Sequence, residues 1–433
     1  MLYSSTSRLT THVPLEKAVL KGLADDGGLY MPASVPVLPP AFLESLHQLS
    51  LQEIAYTVAS AFLQEDVPAQ VLKSLVEEVL NFEIPLVKVE KDIYSLELFH
   101  GPTMAFKDVG ARFMSRLMAY FTRGKNEALK VIVATSGDTG SAVAAGFHQV
   151  QGIQVYILYP KGKVSPLQQK QLTTWGDNIT AIEVEGTFDD CQRLAKQALA
   201  DQELNQRHLL TSANSINIAR LIPQSFYYFY AYGQLQQQDK PIVFSVPSGN
   251  FGNLTGGLLA AAMGLPVHRF IAATNANDVV PQYLQTGVYA PKPSVQTISN
   301  AMDVGSPSNY ARMEALFSGE LEQFRRRIAG YTFTDEETQK TIREVYQRNG
   351  YLLDPHGAVA FSGARKLLSQ TKEPTIAVFL ETAHPAKFRE VMEDTLGEAI
   401  AIPAKLQRFA EKQEHIVPMQ NSFEELKSIL SEV

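Results

Sequence analysis

A single cysteine in 433 residues, Cys191, excludes an internal disulfide and fits a reducing compartment. It follows Asp189 and Asp190 at the start of a helical pattern and reads as a small packing residue. No stretch reaches the roughly 18–20 consecutive apolar residues of a membrane span, and Met1 to His12 lacks an apolar core of signal length. A soluble, cytoplasmic protein is expected. Positive charge is in deficit, with 38 Lys and Arg against 45 Asp and Glu, a formal net charge of −7. With a pI near 5.8, this argues against a nucleic-acid partner or an anionic membrane surface. Any anion must therefore be bound by local arrangement. The nine histidines show no ligand spacing and there is no cysteine cluster, so metal binding finds no support. Internal repeats and low-complexity tails are also missing.

What is present is ample apolar material. A chain of this length with 45% hydrophobic residues can bury a large core and is too long for one ordinary domain, so two or three packed lobes are expected. Residues 1–90 read as a mostly helical N-terminal region. A helix around Leu15–Leu23 stops at Asp25-Asp26-Gly27-Gly28, an extended proline-rich linker spans 31–40, and helical patterns occupy about 41–62 and 67–80. From residue 84 strands and helices alternate. Strand candidates are Ile93–Phe99, Lys130–Ala134, Gln154–Tyr159, Ile179–Val184, Leu209–Ser212, Ile242–Val246, Val267–Thr274 and Thr375–Leu380. Such alternation predicts an α/β architecture with mostly parallel sheets flanked by helices, whose ligands gather at the carboxyl ends of the strands. The loop from Lys292 to Tyr310 and the charged helical stretch Glu314–Arg327 read as solvated faces.

The chain is organised around the segment 99–113. After a Gly101-Pro102 turn, Phe106, Val109, Phe113 and Leu117 recur at helical spacing. Lys107 then opens a helix, where free N–H groups and the macrodipole disfavour a cation. A lysine held partly neutral there is a nucleophile towards aldehydes. The same features suit a surface lysine that happens to start a helix.

Two turns at strand ends carry glycine beside hydroxyl and amide side chains. One is Thr135-Ser136-Gly137-Asp138-Thr139-Gly140-Ser141, the other Ser248-Gly249-Asn250-Phe251-Gly252-Asn253. Each leads into a helix whose amino end can hold a phosphate or carboxylate, and neither has the spacing of a dinucleotide fingerprint or a P-loop. Ordinary N-capped turns would look similar. A third cluster, Ser212 to Arg220, places Asn214 and Arg220 on the first turns of a helix, where a guanidinium can make a bidentate contact to an anion. Thr382 falls at a strand's carboxyl end, where a hydroxyl can touch a ligand's ring nitrogen. His384 and Lys387 read as turn and surface residues, and Asp354-Pro355 as a structural helix cap.

Taken together, Phe106-Lys107-Asp108, Ser136-Gly137-Asp138-Thr139-Gly140, the 248–253 turn and Thr382-Ala383-His384-Pro385-Ala386-Lys387-Phe388 resemble the threonine synthase family of fold-type II pyridoxal-phosphate enzymes. The segment from Lys21 to Pro32 is also similar to that family, so the resemblance runs from near residue 3 to about 390. Single motifs are shared with dehydratases and cysteine synthases; the combination is specific. The resemblance implies a two-lobed, tryptophan synthase β-like fold: a smaller mobile lobe over 91–215 and a larger lobe over 216–433 that holds the cofactor phosphate. It implies pyridoxal 5'-phosphate as cofactor, bound covalently by Lys107, which also shuttles protons. Ser248, Gly249, Asn250, Phe251, Gly252 and Asn253 would hold its phosphate and Thr382 its pyridine nitrogen. Thr135, Ser136, Thr139, Asn214 and Arg220 would bind the substrate's anionic groups. The implied reaction is a carbon–oxygen lyase step of threonine biosynthesis, O-phospho-L-homoserine and water giving L-threonine and phosphate. A phospholyase or dehydratase of the same fold, or a catalytically silent phosphometabolite-binding protein, are the alternatives. Monomer and homodimer both stay open. Asp138 stands where many relatives of this fold carry asparagine, so it must be paired, protonated or turned towards its own helix.

Overall fold

The computed structural model describes residues 1–7, 12–125 and 127–431. Its contacts divide the chain into two compact units. The first comprises Met1, Pro32–Phe106 and Leu221–Ala401; the second comprises Leu2–Met31, Lys107–Arg220 and Ile402–Val433. The expected 91–215 segment thus gives its first residues to one unit and the rest to the other, while residues 402–433 join the unit built on 107–220. No helix among the described residues is long and apolar enough to cross a membrane.

The first unit is built on a six-stranded sheet. Its order is Ile328–Thr332, Arg269–Thr274, Ile242–Pro247, Ile376–Glu381, Ile93–Glu97, Leu86–Glu90. All pairings are parallel except the last, which is antiparallel. The central strands are buried throughout, as a sheet covered on both faces requires. In register, Phe244 lies beside Val378 and Leu380 beside Leu96, so neighbouring strands release their next residues at the same end. Helix Pro355–Gln370 packs on four of these strands. Ser245 Oγ donates to the Ala360 carbonyl at 2.6 Å, so even this buried hydroxyl is used.

The second unit carries a five-stranded parallel sheet in the order Ile416–Gln420, Ile179–Glu185, Ile153–Pro160, Leu129–Ala134, Leu209–Ser212. Helices Lys107–Thr122 and Asp138–Phe147 pack together at Gly146, where a Cβ would stand 3.2 Å from the Ala111 carbonyl carbon. Cys191 is fully buried in the apolar cluster beneath helix Phe188–Ala200, and burial pushes its thiol up to about 12, an inert packing residue.

Three segments depart from the sequence reading. The helix expected over 41–62 is broken after Gln48, because Ser50 and Glu53 form a reciprocal capping box that starts a new helix, Leu51–Leu63. The stretch Glu314–Arg327 is split at Ser318 and Gly319, both left-handed at φ 54° and 73°, and it buries Phe317 and Phe324. Strand Ile328–Thr332 comes directly after it, paired to 270–274.

The aromatic layer of the first unit sets a limit on substitution. A Cβ at Gly257 would stand 2.6 Å from Phe270 Cε1 and 2.8 Å from Tyr228 Cζ, and both rings are fully buried. Gly257→Ala gains about 1 kcal/mol of helix propensity but overpacks a core that cannot yield, at a cost of roughly 1–3 kcal/mol. The variant should unfold at lower urea concentration than the parent. An unchanged midpoint would show that the rings move aside.

Candidate active site

In the first unit, two parallel neighbours end side by side, Ile242–Pro247 and Ile376–Glu381. The loops beyond these two strand ends form the candidate site. After Pro247, Ser248 donates its N–H to the Ala273 carbonyl at 3.0 Å, and Asn253 Nδ2 donates to the Pro247 carbonyl at 2.8 Å. The turn closes on Phe251, held left-handed at φ 60° and serving as N-cap of helix Gly252–Ala262. A non-glycine residue in that region costs roughly 1–3 kcal/mol and tends to mark a functional turn. The helix's first N–H groups have no carbonyl within the helix, which makes the turn an anion cradle. Gly249 is required by close approach: a Cβ there would stand 2.6 Å from Met302 Cα and 3.0 Å from the Ala301 carbonyl oxygen.

After Glu381 the chain zips against 104–106. Ala105 and Ala383 form an antiparallel bridge, Phe106 donates its N–H to the Thr382 carbonyl at 2.8 Å, and His384 donates its N–H to the Met104 carbonyl at 3.1 Å. Thr382 is 6% exposed. Lys387 corrects the sequence reading: it is buried, not superficial, and its Nζ donates to the Thr103 carbonyl at 3.0 Å. His384 does lie at a turn, where its Nδ1 accepts the Ala386 N–H at 3.1 Å. Burial, with His100 nearby, lowers its pKa to about 4, so it is neutral.

Behind the 248–253 turn lie residues that the sequence reading passed over. Ser308 N–H donates to Asn250 Oδ1 at 2.5 Å, Asn309 Nδ2 donates to the Asn250 carbonyl at 3.0 Å, and Arg312 Nη1 donates to Asn309 Oδ1 at 2.9 Å. Arg312 is fully buried, and burial brings its guanidinium down to about 9, still charged at neutral pH. A positive charge thus stands two hydrogen bonds behind the turn. Asp303, in the same segment, accepts from Thr297, Asn275 and Asn277, and burial raises its carboxyl to about 6. The 292–310 loop is therefore internal support in its second half, not a solvated face. Its side chains are mostly polar, and nothing in their spacing marks burial.

The second unit carries the other expected residues. Lys107 opens helix Lys107–Thr122 and is half-buried, directly after the Phe106 that is tied to Thr382. Asp108 beside it is fully buried and holds up the pKa of Arg220, which burial otherwise depresses to about 10. Arg220 Nη1 donates to the Ala213 carbonyl at 2.6 Å. Asn214 spends its amide on Ala134, accepting its N–H at 3.2 Å and donating to its carbonyl at 2.8 Å. Thr135 Oγ1 accepts the N–H groups of Gly137 at 3.0 Å and Gly140 at 2.8 Å, which shapes the turn. Ser136 and Thr139 remain partly exposed. Asp138 is buried in the first turn of helix Asp138–Phe147, and its Oδ1 accepts from Gln168 Nε2 at 2.9 Å. Its carboxylate is thus paired, one of the three possibilities the sequence left open.

Comparisons with known proteins agree with this arrangement. The family described as pyridoxal-phosphate dependent enzyme matches residues 82–382, threonine synthase N terminus matches 2–80, and threonine synthase, C-terminal matches 357–430. The class defined is thus that of the fold-type II pyridoxal-phosphate lyases. Threonine synthase of Haemophilus influenzae is 45% identical over 419 residues, covering 96% of each chain. The crystal structure of threonine synthase from Escherichia coli superposes with a TM-score of 0.93 at 41% identity over 99% of both chains. That of threonine synthase from Brucella melitensis, described as PLP-bound, superposes with a TM-score of 0.92 at 35% identity, over 99% of this chain and 98% of that one. The chain belongs to the threonine synthase family, and pyridoxal 5'-phosphate is its cofactor. The residues fit the group: a helix amino end with a backed glycine for the phosphate, and a threonine at the adjoining strand end.

Glu381, the residue before Thr382, bears on that fit. It is fully buried, its Oε1 accepts the Asp354 N–H at 2.6 Å, and its Oε2 has no hydrogen-bond partner among the described residues. Burial, reinforced by Asp354, raises its pKa well above the ordinary 4.5 and so favours the uncharged acid. A group protonated in the folded state but ionised in the unfolded one costs stability as pH rises above the unfolded value. Glu381→Gln removes that cost. Its stability relative to the parent should rise with pH above 4.5 and match the parent below it, as read from urea midpoints in each range. A glutamine variant that is weaker at neutral pH than in acid would mean that Glu381 is ionised in the folded protein.

Proposed function

We propose that the chain converts O-phospho-L-homoserine and water into L-threonine and phosphate. The observation that chiefly supports this reading is the tie of Phe106 to Thr382 beside the 248–253 turn, since it attaches the residue before Lys107 to the same strand ends as the anion cradle. When bound, pyridoxal 5'-phosphate supplies an electrophilic carbonyl carbon and a ring that accepts electron density from substrate carbons. Lys107 Nζ is its covalent tether. Ser248, Gly249, Asn250, Phe251, Gly252 and Asn253 receive its phosphate, chiefly through backbone N–H groups, because Asn250 and Asn253 use their side chains to brace the turn. The Thr382 hydroxyl meets the ring nitrogen, and a hydroxyl, unlike a carboxylate, leaves that nitrogen without a counter-charge. The ring is then a mild electron sink, suited to elimination and addition at the side chain.

Ser136, Thr139 and Arg220 bind the substrate's anionic groups. Thr135 and Asn214 frame them, since their own polar atoms hold the strand ends and the helix start. Lys107 Nζ takes the protons from the substrate's Cα and Cβ in turn and phosphate departs from Cγ. A proton is then returned to Cγ, water adds its hydroxyl at Cβ, its other proton going to the released phosphate, and a proton is returned to Cα. Each such proton transfer by a placed amine is worth roughly 10²- to 10⁴-fold.

The purified chain loaded with cofactor should be yellow and release one phosphate per L-threonine formed. Lys107→Ala should lose the colour and at least about 10⁴-fold of the rate, having lost tether and base together. A keto acid and ammonia in place of threonine would establish the phospholyase, and a colourless wild-type protein the silent binder.

A further inference from the structure

Asp354 caps helix Pro355–Gln370, accepting the His356 N–H at 2.8 Å and the Gly357 N–H at 3.4 Å. Its role does not end there. His356 Nδ1 lies 2.6 Å from Asp354 Oδ1, and His356 Nε2 lies 3.2 Å from the backbone nitrogen of Ala301. A backbone N–H can only donate, so Nε2 must be the bare nitrogen and Nδ1 must carry the proton. The imidazole is therefore held in one tautomer, 2% exposed and packed on the Phe388 ring at 4.8 Å.

Ala301 and Met302 are the residues against which Gly249 rests, with no room for a Cβ. From the other side, Asp354 N–H reaches Glu381, next to Thr382. Gly357 gives the Glu381 carboxyl its space, since a Cβ there would overlap it. One helix cap is thus bonded on one side to the strand end that presents Thr382, and on the other, through an imidazole, to the backing of Gly249.

We propose that Asp354 and His356 are positioning residues of the cofactor site, with His356 Nε2 holding the Ala301–Met302 backbone against Gly249 so that the 248–253 turn keeps its phosphate-binding shape. The inference rests on the assignment of the cofactor phosphate to that turn. Neither residue touches the cofactor; they act through the backbone that does. This kind of outer support is common where a rigid first contact matters.

Apoenzyme titrated with pyridoxal 5'-phosphate and, separately, with unphosphorylated pyridoxal tests the relay. His356→Asn keeps a donor towards Asp354 but has nothing that reaches Ala301, whereas His356→Gln keeps an acceptor at the Nε2 position. The asparagine variant should bind pyridoxal 5'-phosphate roughly tenfold more weakly, the size of one lost buried hydrogen bond, with pyridoxal binding unchanged. The glutamine variant should recover most of that loss. Equal weakening of both ligands, or equal behaviour of the two variants, would reduce His356 to a general packing role and overturn the proposal. Gly249→Ala separates this from the underlying assignment. If it leaves the preference for the phosphorylated ligand intact, the phosphate is not in this turn; if it removes the preference while His356→Asn does not, only the relay fails. Should the variants fold poorly, nitrogen-15 spectra of histidine-labelled wild-type protein decide. One of the nine histidines must show a protonated Nδ1 and a bare Nε2 and be assigned to position 356 by its coupling to the Ala301 N–H; an Nε2-protonated ring at position 356 overturns the proposal.

Discussion

The antiparallel tie between 104–106 and 382–384 is the constraint on which the site depends. Parallel sheets leave their carboxyl-end loops without a partner strand, and such loops ordinarily wander. Here one loop is pinned by main-chain hydrogen bonds to a segment distant in sequence, and Lys387 locks the same pair through the Thr103 carbonyl. Backbone bonds do not depend on side-chain rotamers, so the register of Thr382 against 104–106 is set by the most rigid contacts available. The left-handed Met104, at φ 56°, is the local strain that this pairing holds in place.

In the same unit burial presses acids and bases alike towards their uncharged forms, with unequal results. In Glu381, sealed beside Asp354, it favours the uncharged acid. Arg312 keeps its proton although fully buried. Desolvation opposes the charged form of both groups, but an ordinary guanidinium starts so far above neutrality that even a large loss leaves it positive, whereas a carboxyl has little margin. Arg312 thus keeps a buried positive charge behind the 248–253 turn, although the chain as a whole is acidic.

Much of this was legible in the residues alone. The expected strands from Ile93 to Leu380 all exist within about two residues of their expected ends, because runs such as Ile242-Val243-Phe244 have little alternative to a doubly covered parallel strand. The two glycine turns stood out for the same reason. What stayed hidden depends on contacts between parts remote in sequence. Ile328–Thr332 becomes a strand only because 270–274 is there to pair with it. Lys387 looked superficial because a buried lysine is defined by the carbonyl it reaches, and Thr103 lies 284 residues away. Arg312 and Asp303 sit in a polar loop whose burial has no periodic signature, and His356 in a helix start whose cap alone was readable.

The interleaving of the two units has a consequence for how the protein is made. The chain passes from one to the other after Met31, Phe106, Arg220 and Ala401, and the outer strand of the five-stranded sheet, Ile416–Gln420, pairs with 181–185. Until residues 416–420 have been synthesised that sheet is one strand short, and its edge at 181–185 must be shielded from neighbouring nascent chains. Helix Phe423–Ser431 then seals the apolar cluster around Cys191 with Leu426 and Leu430. This unit therefore cannot be completed before every segment of the other has been made.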